Sequence, residues 1–368
     1  VSKKKKIRIA FRKGHEKSAG SRRRTDSADE SRLEDLPAVE RISGKGAATR
    51  HRTVLADDDS GTGRAVGGPG TLTGRVVSPR GFECLVAADD GREFTCTVRR
   101  VVRTIASQDR TAIAAGDRVL FSVTNDSTGV IERVEPRTGA ISRNVRGQRQ
   151  VIVANVEQLL IVASAVDPPI KPSLIDRYII SGHVGGLKPI ICVNKADLAD
   201  LGELQPLVGM YAQLGYQVLL TSAVTGMGVA RLRQLLTDRE TALSGQSGVG
   251  KSSLVNAIEP DLKIRTLTVS KETGKGRHTT TNATLLRLSG GGWVVDTPGI
   301  RQLDLWNVSP AEIVGCFIEF RPFLSQCRFP DCSHKHEQNC GVKRAVAAGF
   351  ISALRYESYC RISGGDVM

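Results

Sequence analysis

The order of five short motifs restricts what this chain can fold into more than its composition does. Gly245-Gln246-Ser247-Gly248-Val249-Gly250-Lys251-Ser252 matches the phosphate-cradling pattern G-x-x-x-x-G-K-[ST]. In guanine-nucleotide-binding domains a base-reading Asn-Lys-x-Asp normally follows that loop. Here Asn194-Lys195-Ala196-Asp197 lies about fifty residues before it, and a candidate base-contacting loop, Thr221-Ser222-Ala223, also precedes it. Thr279-Thr280-Thr281 and Asp296-Thr297-Pro298-Gly299 come after it. Base reader, base loop, phosphate loop, switch threonines and switch aspartate form a circular permutation of the usual order, one that few protein families carry.

A chain of 368 residues has room for two or three domains and at least one large core. The net charge of +14 and pI near 9.6 favour a polyanionic partner. Residues 1–50 hold fifteen Lys and Arg against seven acids, so +8 of the +14 sits there, either to bind a polyanion or only to solubilise. No apolar run reaches the roughly 18 residues that span a membrane, and no apolar stretch of signal-peptide length follows the basic start. The expectation is a cytoplasmic, monomeric protein with no membrane partner. Of eight cysteines, five are scattered with no disulfide framework and three cluster near the C-terminal end. Reduced thiols and one metal site fit that pattern.

The expected fold class is multidomain α/β: a basic disordered tail (1–68), an OB-type β-barrel (69–140), a circularly permuted P-loop GTPase domain (141–305) and a helical zinc-binding C-terminal domain (306–368). The tail is polar and poor in apolar periodicity. Five short β-rich runs follow, at 74–77, 83–87, 93–98, 118–123 and 130–134, separated by turn signals such as Asp89-Asp90-Gly91. Few exposed aromatics accompany them, so any nucleic-acid contact there rests on charge. A basic connector, residues 143–149, leads into alternating strand patterns (159–163, 189–193, 217–220, 293–295) and helical ones (173–184, 203–214, 228–239, 251–258). That alternation predicts a doubly wound, largely parallel sheet.

Glycines stand in the phosphate loop because side chains would block the backbone's approach to phosphate. Lys251 supplies a point charge, Ser252 a hydroxyl for Mg²⁺, and Ser253 begins the helix whose N-terminus faces the anion. Asp197 can accept from both the N1–H and the exocyclic amine of guanine; adenine lacks that donor pair, which selects GTP over ATP. Ser222 and Ala223 are the other candidate base contacts. Asp296 ends a strand, placed to hold Mg²⁺ through a water. Thr280 or Thr281 closes on Mg²⁺ and the γ-phosphate; spacing does not decide which. Ile300 stands where many GTPases have a glutamine that orients the attacking water. Water positioning must then come from another side chain, a potassium ion or a partner; His278 is the one nearby candidate with suitable chemistry and equally reads as a solvated loop histidine.

Cys327-x4-Cys332-x-His334-x5-Cys340 offers three thiolates and an imidazole, a closed set for structural Zn²⁺, with His336 a possible substitute for His334. No open coordination position, and so no metal catalysis, is expected.

Taken together, the barrel with Gly116-Asp117, the stretch 151–156, the permuted motifs, Gly276-Arg277-His278-Thr279-Thr280-Thr281 and the Cys/His spacing resemble the small-subunit biogenesis GTPases of the RsgA/YjeQ family, over about residues 70 to 360. The resemblance implies binding to the maturing 30S subunit and its 16S rRNA near the decoding region, with GTP hydrolysis to GDP stimulated by the ribosome and coupled to release. It implies that His278 assists hydrolysis, that Ile300 is the apolar residue replacing glutamine, and that Cys327, Cys332, His334 and Cys340 hold zinc. The tail is longer than the family pattern. A nucleotide-gated rRNA chaperone with little hydrolytic role is the competing expectation, and a GTPase acting on tRNA or another RNA a third.

Overall fold

The computed structural model describes residues 5–10, 51–56, 70–81, 83–99, 113–145, 148–262, 283–296 and 308–364. The chain divides into two units, Val1–Pro69 and Gly70–Met368. In the first, β1 (Lys5–Ala10) pairs antiparallel with β2 (His51–Ala56). The sequence reading expected no fixed structure in this basic tail. Ile7 and Ile9 alternate with basic residues, a period-2 pattern, and the register pairs Ile7 with Val54 and Ile9 with Arg52.

The second unit opens with a closed barrel: β3 (Thr71–Arg80), β4 (Glu83–Ala88), β5 (Glu93–Val98), β6 (Arg118–Asn125) and β7 (Thr128–Val134), in the order β3-β4-β5-β7-β6. Pairing of β3 with β6 closes the ring, and β5 with β7 is its parallel contact. Alternate residues point inward; Val76, Val86, Phe94, Phe121 and Ile131 are fully buried, with the two phenylalanine rings 5.3 Å apart. Gly116 precedes β6 at φ +91°, and a Cβ there would lie 2.0 Å from the Ala154 carbonyl oxygen, so only glycine fits. Next to it, buried Asp117 accepts from the Ala114 N–H at 2.7 Å and pairs with Arg137, whose Nε and Nη2 donate at 2.7 and 2.8 Å.

The expected connector is a hairpin, β8 (Ala140–Val145) with β9 (Gln148–Ala154). It leads to a six-stranded sheet ordered β12-β11-β10-β13-β15-β14. Its parallel members are β10 (Gln158–Ser164), β11 (Lys188–Asn194), β12 (Gln217–Leu220), β13 (Glu240–Ser244) and β15 (Trp293–Asp296). The edge strand β14 (Thr284–Arg287) runs antiparallel to β15. Helices α1 (Pro172–Val184) and α2 (Leu201–Gln213) cover one face; α3 (Val229–Leu236) and α4 (Lys251–Ile258) cover the other. Strand β10 has every residue buried, as a central parallel strand covered on both faces should.

The C-terminal segment contains α5 (Pro310–Cys316), α6 (Arg321–Leu324), α7 (Gly341–Ala347) and α8 (Ala353–Ser363). A capping box between Ser309 and Glu312 starts α5. Phe317, Phe320, Val342, Ile351 and Tyr359 form its core, and Ile180 of α1 belongs to the same cluster, which joins this segment to the sheet domain. No helix among the described residues is long and apolar enough to cross a membrane.

Candidate nucleotide and metal sites

Strand order explains how the permuted motifs meet. From β10 the chain proceeds to β11 and β12 on one side, then returns to place β13, β15 and β14 on the other. The gap between β10 and β13 is the topological switch point, the place where open α/β sheets bind ligands. Residues 245–250 follow β13 there and run straight into α4. Gly245 has φ +147°, and a Cβ on it would sit 2.2 Å from the Val162 carbonyl oxygen of β10. Gly248 and Gly250 also have positive φ, +86° and +91°. The loop therefore turns its N–H groups toward one centre at the N-terminus of α4, an anion-binding geometry. Lys251 Nζ donates to the carbonyls of Gly245 and Gln246 at 2.8 and 2.7 Å, which holds the ammonium across the loop. Val249 is buried; Ser252 and Ser253 sit half-buried in the first turn of α4.

Asn194 ends β11 and Lys195–Asp197 turn outward from it. The Asn194 side chain is buried, and its Nδ2 donates to the Val249 carbonyl at 2.8 Å, bonding the candidate base-reading motif to the candidate phosphate loop across 55 residues of sequence. A Cβ on Gly250 would lie 2.4 Å from that Nδ2. Lys195, at φ +59°, donates from Nζ to the Asp167 carbonyl at 2.6 Å. The Ala196 N–H donates to the Thr221 carbonyl at 3.0 Å, which brings the second base loop alongside the first. In that loop Ser222 Oγ accepts from the N–H groups of Val224 and Thr225 at 3.2 and 3.0 Å, a side-chain turn that shapes Ser222-Ala223. Asp197 is exposed at the mouth. Cys192, behind the motif, is an inert filler: complete burial pushes its thiol up to about 12, with a Thr221 contact pulling slightly the other way.

Asp296 closes β15, two strands from β10 on the phosphate-loop side, and only its backbone is described. His278, Thr279, Thr280, Thr281 and Ile300 lie outside the described residues.

In the C-terminal segment, donor atoms of Cys327, Cys332, His334 and Cys340 all lie within 4.8 Å of one another. Cys327 Sγ is 3.9 Å from Cys340 Sγ, and His334 Nδ1 is 3.6 and 3.4 Å from those sulfurs. Tetrahedral zinc, with bonds of about 2.3 Å to sulfur and about 2.0 Å to nitrogen, requires sulfur–sulfur separations near ~3.8 Å and sulfur–nitrogen near ~3.6 Å. The four residues fit. His336 is exposed and outside the cluster, so the ligand choice falls on His334. Burial holds the His334 imidazole below its ordinary value, in the neutral form a metal ligand needs, against a smaller pull from Glu337. Backbone N–H groups of Gly341 and Lys343 point at the sulfurs of Cys327 and Cys340, at 3.4 and 3.5 Å, which favours thiolates. Burial and the neighbouring thiols push Cys332 up to about 12 without a cation, a cost that a divalent ion reverses.

Two buried arginines escaped the sequence reading. Arg355 of α8 pairs with Asp176 of α1 and with Glu319. Arg75 of β3 pairs with Glu240, the first residue of β13, at 2.6 Å. Neither belongs to a local pattern that a sequence could display.

The matched family model, described as "RsgA GTPase", covers residues 134–306. A protein of Gemmatimonas aurantiaca is 40% identical over 297 residues, 79% of this chain and 96% of the relative. One of Chlorobaculum tepidum is 41% identical over 301 residues, 78% and 96% of the two chains. Both carry the name "Small ribosomal subunit biogenesis GTPase RsgA". Among solved structures, YjeQ from Thermotoga maritima matches with TM-score 0.66 and 34% identity, over 81% of this chain and 100% of that one. YloQ, titled a circularly permuted GTPase, matches with TM-score 0.62 and 28% identity, over 80% and 94%. With the permuted sheet, the barrel before it and the Cys/His cluster after it, the chain belongs to the RsgA family of circularly permuted, GTP-hydrolysing enzymes.

Proposed function

We propose that this GTPase binds the 30S ribosomal subunit through 16S rRNA and acts late in its maturation, hydrolysing GTP to GDP and phosphate when the subunit stimulates it and leaving as GDP forms. The observation that carries the nucleotide part is the Asn194–Val249 hydrogen bond, which joins base reader and phosphate loop in one crevice. The partner rests on the names of the relatives and on the net charge of +14. The reading has the protein working in the cytoplasm as a monomer.

In this reading Asn194, Lys195, Ala196 and Asp197, with Ser222 and Ala223, select guanine. Backbone N–H groups of residues 245–253 hold the phosphates. Lys251, which here donates to the Gly245 and Gln246 carbonyls, supplies the point charge to the β- and γ-phosphates. Ser252, Asp296 and Thr280 would hold Mg²⁺, and the ion would supply charge neutralisation for the phosphoryl oxygens. Ile300 cannot hydrogen-bond the attacking water, so His278 orients it. Cys327, Cys332, His334 and Cys340 hold a structural Zn²⁺ that supplies folding energy and no chemistry.

The test is GTP turnover with and without purified 30S subunits, at several salt concentrations, with ATP and tRNA as controls. GTP-specific stimulation by 30S that falls steeply with salt is the expected result. Binding to 30S without any stimulation would replace the reading with a nucleotide-dependent chaperone; stimulation by tRNA alone would replace the partner.

A further inference from the structure

Helix α8 touches both the metal loop and the nucleotide domain. Tyr356 Oη donates to the carbonyl of His334 and Tyr359 Oη to that of Ser333, each at 2.7 Å, so both tyrosines hold the backbone of the metal loop. Arg355, just before Tyr356 and one turn ahead of Tyr359, reaches the sheet domain from the same helix. Its Nη1 donates to Asp176 Oδ1 at 2.5 Å, and its Nε and Nη2 donate to Glu319 at 2.7 and 3.2 Å. Its guanidinium lies 4.4 Å from the Phe317 ring centroid. Tyr211 Oη of α2 donates to the same Asp176 oxygen at 2.8 Å. The side chains of Arg355 and Asp176 are 2% and 0% exposed. A charged cluster this enclosed fixes the elements it joins, because separating them strands a charge away from water.

From α1 the contacts continue to Lys195 and the edge of the 245–250 loop. The segment before α1, residues 165–171, is bonded into its first turn, since the Lys171 carbonyl accepts from the N–H groups of Leu174 and Ile175 at 3.0 and 3.3 Å. Within that segment the Asp167 carbonyl accepts from Ser164 Oγ at 2.8 Å and from Lys195 Nζ at 2.6 Å. Pro168 Cδ stands 3.7 Å from where a Cβ on Gly248 would be, at the edge of the phosphate loop. The base-reading lysine is therefore held by a segment whose far end is clamped by the C-terminal module.

We infer that Arg355 is a positioning residue for guanine-nucleotide binding. Through Asp176 it fixes α1 and holds the 165–171 segment against Lys195, so the order of the C-terminal module sets nucleotide affinity. By reciprocity, nucleotide binding tightens the C-terminal module by the same factor. The inference rests on Lys195 as part of the base reader.

The experiment is equilibrium binding of a fluorescent GDP analogue to the full chain, with steady-state GTP hydrolysis alongside, for Arg355→Met, Arg355→Lys and Lys195→Ala. Arg355→Met is expected to raise the GDP dissociation constant and KM together by about fivefold, at the low end of measured coupling energies, while kcat changes less than twofold. Arg355→Lys, which keeps the charge but loses the fork, falls between. A purely structural arginine would lower the melting temperature and leave the affinity of the folded protein untouched. Wild-type GDP affinity in Arg355→Met protein that retains its metal overturns the inference. Should that variant not fold, Arg355→Lys and Tyr356→Phe decide it, and unchanged affinity in both overturns it. Lys195→Ala separates the two failures: if it too leaves affinity unchanged, the base-reader assignment is what fails.

Discussion

The sheet domain is joined to its neighbours by two buried arginines, and they sit in opposite electrostatic situations. Arg75 reaches from the barrel to Glu240 alone, and its Nη1 is buried with no hydrogen-bond partner among the described residues. Burial pushes its guanidinium below its ordinary value, and Glu240 offsets this only in part. Arg355 is buried more deeply, yet Asp176 and Glu319 more than reverse the effect of burial and hold it above its ordinary value. Arg355 meets two carboxylates and a phenylalanine face, whereas Arg75 meets one carboxylate. The C-terminal cluster still leaves Asp176 Oδ2 buried without a hydrogen-bond partner among the described residues, and burial raises Asp176 above its ordinary value against the pull of Arg355. The asymmetry is therefore one of partners: losing Arg355 strands two carboxylates, losing Arg75 one.

The largest expected effect tests whether the C-terminal junction depends on the metal. Cys340→Ser removes one member of the proposed zinc set and the N-cap of α7, whose sulfur accepts from the Lys343 N–H. Structural zinc supplies on the order of 10 kcal/mol of folding energy to small modules. Loss of bound metal and rapid proteolysis within residues 308–364, with the barrel left resistant, is the expected pattern. A protease-resistant C-terminal segment in metal-free Cys340→Ser protein would show that the Arg355 cluster holds the module without zinc.

Next comes the direct comparison of the two arginines. Arg355→Met strands two buried carboxylates, which should cost about 3–5 kcal/mol in urea denaturation. Arg75→Met strands only Glu240 and also removes an unpaired buried N–H group, so about 1–2 kcal/mol is expected. Equal losses would erase the asymmetry between the junctions.

The parts of the molecule readable in its sequence are those encoded over short spans. Gly245 to Ser252 spells its loop in eight residues, and Cys327 to Cys340 its ligand set in fourteen. The five barrel strands are short β-rich runs bounded by turn signals and are legible to within a few residues at each end, although β3 carries a continuous buried stretch instead of alternation. Strand β13, Glu240–Ser244, was missed: its five residues carry no alternation, four are buried, and the helical pattern before it masked its start. The antiparallel β14 was missed because four residues carry too little pattern. Both junctions were invisible for a different reason. Arg75 and Glu240 are 165 residues apart, Asp176 and Arg355 179, and only the folded sheet brings them together. The His334 or His336 choice also needed coordinates, since both fit the spacing and it is burial and the grouping of donor atoms that separate them.

The smallest effect concerns pH and the barrel junction alone. Glu240 is raised above its ordinary value, first by burial and then by a hydrogen bond with Glu157, with Arg75 pulling the other way. Glu157 is lowered, chiefly by Arg239, which donates to it at 2.7 Å, and then by Glu240. On acidification the first extra proton therefore goes to Glu240. A carboxyl raised on folding binds its proton in the folded state before the unfolded one. Its contribution to stability accordingly grows as pH falls toward the ordinary glutamate value of about 4.3. Glu157 acts in the opposite sense, and only below that value, where its stabilisation is lost. Glu240→Gln removes the first effect and leaves the second. The stability difference between the wild-type chain and Glu240→Gln should thus rise as pH falls from about 7 to about 5 in urea titrations. A flat difference would mean that Glu240 is solvated in solution. The barrel junction would then be an ordinary surface ion pair, worth about 0–1 kcal/mol.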